Sequence, residues 1–265
     1  MRAETSNVVH DVIIYELPLN DSTRMCLQLE NLFHQFDAAI TSHSELSIKN
    51  AVTALLKILE VSERPDIKSK LCQTLVQFST TLDQLNRSPQ VDKQRLQNTL
   101  KKLETLSQRL NNLHQRIGES LRENEFLYQI RSNLANPGGV SDYRLPAYLL
   151  WQKKSYDEKI QDLKNWMQHF QDLREIVESI LLVTRESAPL QTEIAENGFY
   201  HQNLNPAIPC HLVRVSLPTQ LNLYPEFGAG KHRLTIRFLT PSYHGNGRPS
   251  QVQKNISFQL SCCKL

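Results

Sequence analysis

The chain divides by the period at which its apolar positions recur. Residues 8–15, Val-Val-His-Asp-Val-Ile-Ile-Tyr, are rich in β-branched side chains and run up to Pro18, which predicts a strand. Helical spacing follows at once. Leu29, Leu32, Phe33, Phe36 and Ile40 form one stripe, and Ser44 opens a second helix carrying Val52, Leu55, Leu56 and Leu59. Pro65 suits the first turn of a third, with Ile67, Leu71, Leu75, Phe78, Leu82 and Leu85 on its buried face and a break at Ser88-Pro89. Residues 91–117 then set Leu96, Leu103, Leu110 and Ile117 seven apart. That predicts a helix of about 40 Å closed by Gly118. Ser120-Leu121-Arg122-Glu123 reads as a capping box for a short helix ending at Asn136-Pro137-Gly138-Gly139. Tyr143 to Gln152 is expected to return to strand, at an edge because of Pro146. Ser155 to Glu158 is a second capping box, before an amphipathic helix built on Ile160, Leu163, Trp166, Met167, Phe170, Leu173, Val177, Ile180 and Leu181.

After Pro189 the period becomes two. Asn197-Gly198 signals a turn, and residues 211–217, 232–239 and 254–263 alternate. The expected fold class is α+β, with a helical bundle domain inserted into a discontinuous antiparallel β-domain. The pieces are a first strand in 1–18, helical domain in 19–139, a β-domain strand in 140–153, a long helix in 154–188, and the main β-part in 189–265.

Composition changes this picture in one place. The chain has 265 residues, 30 basic and 27 acidic side chains, and 40% hydrophobic residues, as a water-soluble protein would. Apolar stretches are interrupted every three or four residues, and Glu4 and Asp11 break up the N-terminus, so neither a membrane span nor a secretory signal is expected. Five unpatterned cysteines suit a reducing compartment, and together these features point to a cytoplasmic protein. The net charge of +3 does not by itself argue for nucleic acid. Its distribution is uneven. From residue 189 onward seven Lys and Arg face three Glu, so the cationic excess belongs to the C-terminal third.

Within that third, Lys231, Arg233 and Arg237 alternate with Leu234, Ile236 and Phe238. A strand there buries one face and presents cations roughly 7 and 13 Å apart on the other, a spacing suited to an extended acidic peptide; the plainer reading is a solvated face. Other chemistry fails on detail. Gly228-Ala229-Gly230-Lys231 lacks the earlier Gly and the following Ser or Thr of a phosphate loop, and its glycines read as a turn. Cys262 and Cys263 are adjacent, so they point to opposite faces of a strand; Cys262 is expected in the core with Phe258 and Leu260 rather than on zinc. No nucleophile or base can be assigned, so no enzyme activity, cofactor or metal is expected. The leucine heptads admit two readings, packing inside the chain's own bundle or a dimer seam.

Several short sequences together resemble the ZapD family of cytoplasmic cell-division proteins, which bind the tubulin-like GTPase FtsZ. They are Tyr15-Glu16-Leu17-Pro18-Leu19-Asn20, Asn136-Pro137-Gly138-Gly139, Leu145-Pro146 with Trp151, Arg185-Glu186-Ser187-Ala188-Pro189, Asn197-Gly198-Phe199-Tyr200, Leu223-Tyr224-Pro225, Lys231 through Phe238, and Phe258 through Cys263. Their order and spacing run nearly end to end. The resemblance implies a homodimer at the mid-cell division site that binds the FtsZ C-terminal tail in a basic pocket and crosslinks filaments, without cofactor, nucleic acid or membrane. The matching positions are Arg64, Lys231, Arg233 and Arg237, with Arg122 as a further basic position. Glu125 departs from the pattern, standing where relatives are often basic. The alternative function is nucleic-acid binding by the same cationic strand.

Overall fold

The computed structural model describes residues 11–42, 44–87, 91–134, 145–243 and 247–264. In chain order, β1 (Val12–Pro18) precedes α1 (Asp21–Thr41), α2 (Glu45–Ser62), α3 (Ile67–Gln84), α4 (Lys93–Asn112), α5 (Glu119–Arg122), α6 (Glu125–Leu134), α7 (Pro146–Gln152), α8 (Tyr156–Met167) and α9 (Gln171–Glu186). The strands β2 (Gln191–Ala195), β3 (Phe199–Asn203), β4 (Cys210–Pro218), β5 (Tyr224–Ala229), β6 (Arg233–Thr240), β7 (Ser250–Gln251) and β8 (Ile256–Lys264) follow. The fold is α+β. Met25–Leu181 forms a helical unit, and the residues up to Arg24 join those from Leu182 onward in a β-unit.

In the helical unit, reciprocal capping starts α2 through Ser44 and Ser47, and α8 through Ser155 and Glu158. Leu96, Leu103, Leu106 and Leu110 of α4 are buried, and α4 packs along α3. The leucine seam is thus filled by the same chain, each side chain contributing about 1.5 to 3 kcal/mol of burial. The helix ends at Asn112, short of the expected Gly118, because Leu113 turns extended and Lys68 Nζ takes its carbonyl at 2.7 Å. Gly118 instead opens α5 at φ 73°, where a Cβ would stand 2.8 Å from Phe170 Cε1. Ser120 lies within α5, so it caps nothing. Asn124 does the capping of α6, accepting from Leu127 N at 3.1 Å.

Two further expectations change. The strand expected at 140–153 is helix α7 wherever it is described, residues 140–144 lying outside the described residues. Pro146 occupies the first helical turn, and Tyr148 and Trp151, three apart, share the buried face while Leu150 is exposed. The helix expected over 154–188 is interrupted by a 3-10 turn at Gln168–Phe170, across which the stripe of Leu163, Met167, Phe170 and Leu173 stays buried. The ends at 136–139 and Ser88-Pro89 also lie outside the described residues.

The β-unit holds two antiparallel sheets, ordered β1-β4-β8-β2 and β3-β6-β5, with β7 paired to β6. Val213, Val215, Leu217, Phe258 and Leu260 of the first share one core with Leu234, Ile236 and Phe238 of the second. The Phe238 and Phe258 rings meet at 4.9 Å. Cys262 is only half-buried at the margin of this core, whereas Cys263 on the opposite face is fully buried. Beneath the sheet, Glu16 accepts from Arg185 Nε and Nη2 at 2.9 and 2.7 Å and from Arg214 Nε at 3.0 Å. Burial alone would raise the Glu16 carboxyl, but these guanidinium groups hold it below the usual range.

Candidate functional site

The β3-β6-β5 sheet sets out the cations as the alternation requires. On β6, Leu234, Ile236 and Phe238 are fully buried, while Arg233 and Arg237 are exposed on the other face. Lys231 is exposed in the turn just before the strand, so it leads into the row rather than belonging to β6. Of the glycines read as a turn, Gly228 lies within β5, and a Cβ on it would meet Thr235 Oγ1 at 2.5 Å. Only Gly230 belongs to the turn, its N–H donating to the Arg233 carbonyl at 2.9 Å.

Register builds the rest of the face. Partners across an antiparallel pair point the same way, so β3 places Phe199 beside Arg237, His201 beside Thr235 and Asn203 beside Arg233. The Phe199 and His201 rings stack at 6.1 Å and 22°. From the other side, β5 places Glu226 opposite Arg237, and the two side chains form an ion pair. Among the described residues no carboxylate pairs with Lys231 or Arg233. Sequence reading missed Glu226, Phe199 and His201. The signal was present, since Tyr224–Ala229 and Arg233–Thr240 form a hairpin whose register follows once the turn is located.

The basic candidates of the helical unit are differently placed. Arg64 follows α2, with its Nε 3.4 Å from Asp66 Oδ1, and lines a groove of about 590 Å³ with Lys57, Glu60 and Gln35. Arg122 lines a larger groove of about 990 Å³ with Lys57, Glu63, Tyr128, Arg131 and Leu134. There Glu63 is the hub. Arg131 Nη1 and Nη2 donate to its two oxygens at 2.5 and 2.8 Å, and Arg122 Nε lies 3.4 Å from Oε1. The Arg131 hydrogen bonds, partly opposed by burial, hold the Glu63 carboxyl below its ordinary value, with help from the Arg131 and Arg122 charges. Glu125 is exposed and accepts from Gln129 at 2.8 Å, outside that groove. Among the described residues, no group of three His, Cys, Asp or Glu could hold a metal ion. None of their helices is long and apolar enough to cross a membrane.

The profile of the ZapD family, described as a cell division protein, matches residues 27–237. The chain belongs to the ZapD family. All five basic candidates fall inside the matched range. ZapD relatives align over nearly the whole chain. The cell division protein ZapD of Coxiella burnetii is 46% identical over 261 residues, covering 97% of this chain and 100% of the relative. That of Ralstonia nicotianae is 36% identical over 255 residues, with 96% and 100% covered. That of Methylococcus capsulatus is 32% identical over 253 residues, with 96% and 98% covered. ZapD proteins carry the name of a role in cell division, not of an enzyme.

Proposed function

We propose that this protein is a cytoplasmic cell-division adaptor that takes the C-terminal tail of FtsZ on Arg64, Lys231, Arg233 and Arg237, with Arg122 contributing less. As a homodimer at mid-cell it would hold one tail per subunit and so crosslink and bundle filaments. The observation that carries this reading is the outward row of Lys231, Arg233 and Arg237 in a ZapD-family chain, with two of its three cations paired to no carboxylate among the described residues. Guanidinium groups offer forked donors to tail carboxylates, and the stacked Phe199 and His201 rings offer an apolar surface beside them. Two sites on one dimer make the second engagement effectively intramolecular, so modest single-site affinity suffices for bundling. No cofactor enters this mechanism, and it requires neither membrane nor nucleic acid.

One observation favours a second reading. Aromatic rings next to cations on an open sheet face also suit single-stranded nucleic acid, and Phe199, His201 and Arg237 supply both. A pull-down by an FtsZ tail peptide, run beside an oligonucleotide of similar charge, separates the two. Retention by the tail peptide alone, with filament bundling seen by light scattering, is the expected result. Retention by the oligonucleotide alone would replace the adaptor reading with the second one.

A further inference from the structure

The basic row is not uniform. Arg233 faces Asn203 across one strand pair, its backbone carbonyl accepts from the Gly230 N–H, and no carboxylate among the described residues pairs with its guanidinium. Arg237 sits between Phe199 and Glu226, and Glu226 is the one carboxylate that the β3-β6-β5 register places on this face. The two side chains are 48% and 55% exposed, so their ion pair stands in water and adds little to the fold. A carboxylate held by a guanidinium at the surface of a carboxylate-binding face has the chemistry of the expected ligand.

We infer that Glu226 is a built-in placeholder that occupies Arg237 in the free protein and must leave when an acidic peptide docks. This rests on the reading of the face as the tail-binding site. Docking then proceeds in two unequal parts. Lys231 and Arg233 are open to the first carboxylate, whereas Arg237 exchanges one carboxylate for another. The exchange conserves the number of ion pairs, so the gain at Arg237 is the difference between the incoming group and Glu226. A weakly acidic ligand, able to satisfy only the open cations, gains nothing there. A ligand with a second carboxylate at strand spacing, roughly 13 Å from the first, displaces Glu226 and uses the whole row. The placeholder thus lowers the affinity of any ligand that must use Arg237, the extended doubly acidic peptide included, and leaves capture by Lys231 and Arg233 unaffected.

Glu226→Gln keeps the shape of the side chain and removes its charge. Tail-peptide affinity, read by fluorescence anisotropy, should rise about two- to fivefold, the factor expected for releasing one exposed ion pair. The gain should vanish when Arg237→Ala is already present, since the effect passes through that guanidinium. Glu193→Gln, on β2 of the other sheet, makes the same change in net charge and should give no comparable gain. Unchanged or weaker binding in Glu226→Gln would overturn the inference and make Glu226 a bystander or a support that orients Arg237. A gain that persists in Arg237→Ala, or that Glu193→Gln reproduces, would also overturn it in favour of a general field effect. If Arg233→Glu binds as tightly as the parent, the adaptor reading itself fails, and the placeholder falls with it.

Discussion

The two units use the same cations for different ends. In the helical unit, Arg131 and Arg122 converge on Glu63, whose carboxylate they keep ionised while it joins α6 and the end of α5 to the end of α2. In the β-unit, no carboxylate among the described residues pairs with Lys231 or Arg233, and Arg237 pairs with an exposed glutamate. Paired, half-buried guanidinium groups hold elements together; open ones on a sheet face are the candidates for contact with a ligand. An arginine's identity therefore says little until its acidic neighbours are known, and in this chain those neighbours lie far along the sequence.

The sharpest way to break the helical side of this comparison is through its packing. Leu103 is 1% exposed within the single chain, so Leu103→Glu should cost more than about 4 kcal/mol and abolish the cooperative helical signal in circular dichroism. A folded but monomeric variant would place Leu103 in an intersubunit seam instead. Next in size is the hub. Glu63→Gln leaves two guanidinium groups without their carboxylate and should lower unfolding free energy by about 1 to 3 kcal/mol, measured by urea denaturation, with tail affinity nearly unchanged.

How far the sequence revealed each part follows from the same contrast. Alternation on β6 was legible because the residues that share a face lie two apart, and the structure keeps Leu234, Ile236 and Phe238 inside. The leucine stripe of α4 was legible as a helix, but not what it packs against, which depends on α3. Residues 146–152 were misread because Pro146 weakens a strand and opens a helix equally well, and only the shared burial of Tyr148 and Trp151 decides between them. Glu226 stayed hidden because pairing across a hairpin depends on register, and reading Gly228 together with Gly230 as the turn cuts into β5, which runs to Ala229. Glu63 stayed hidden because its partners lie 68 and 59 positions away, where periodicity gives no signal.

Acid sharpens the comparison further. Glu63 and Glu16 both have lowered folded values, so their stabilisation is complete above the unfolded value near 4.5 and is lost as pH falls through the folded value. Unfolding free energy should therefore decline below about pH 4.5. Glu63→Gln and Glu16→Gln should each flatten that decline in denaturation curves collected from roughly pH 3 to 7. An acid limb unchanged in both variants would contradict the assigned pairs. The smallest effect is expected at Arg122. Already engaged by Glu63 at 3.4 Å, it should change tail affinity by less than about twofold in Arg122→Ala. A loss as large as that of a strand arginine would move the centre of the site towards the helical unit.

The most direct test of the central claim is the affinity of the FtsZ tail peptide for the Arg233→Glu/Arg237→Glu double variant, measured by fluorescence anisotropy beside the parent protein. Both positions point outward from a strand whose other face is fully buried, so the variant should keep the parent's circular dichroism and melting temperature. Each reversal should cost about tenfold in affinity, or roughly a hundredfold together, with the parent's binding weakening as salt rises. A folded double variant that binds the tail as tightly as the parent would reduce the cationic row to a solvated face and contradict the account.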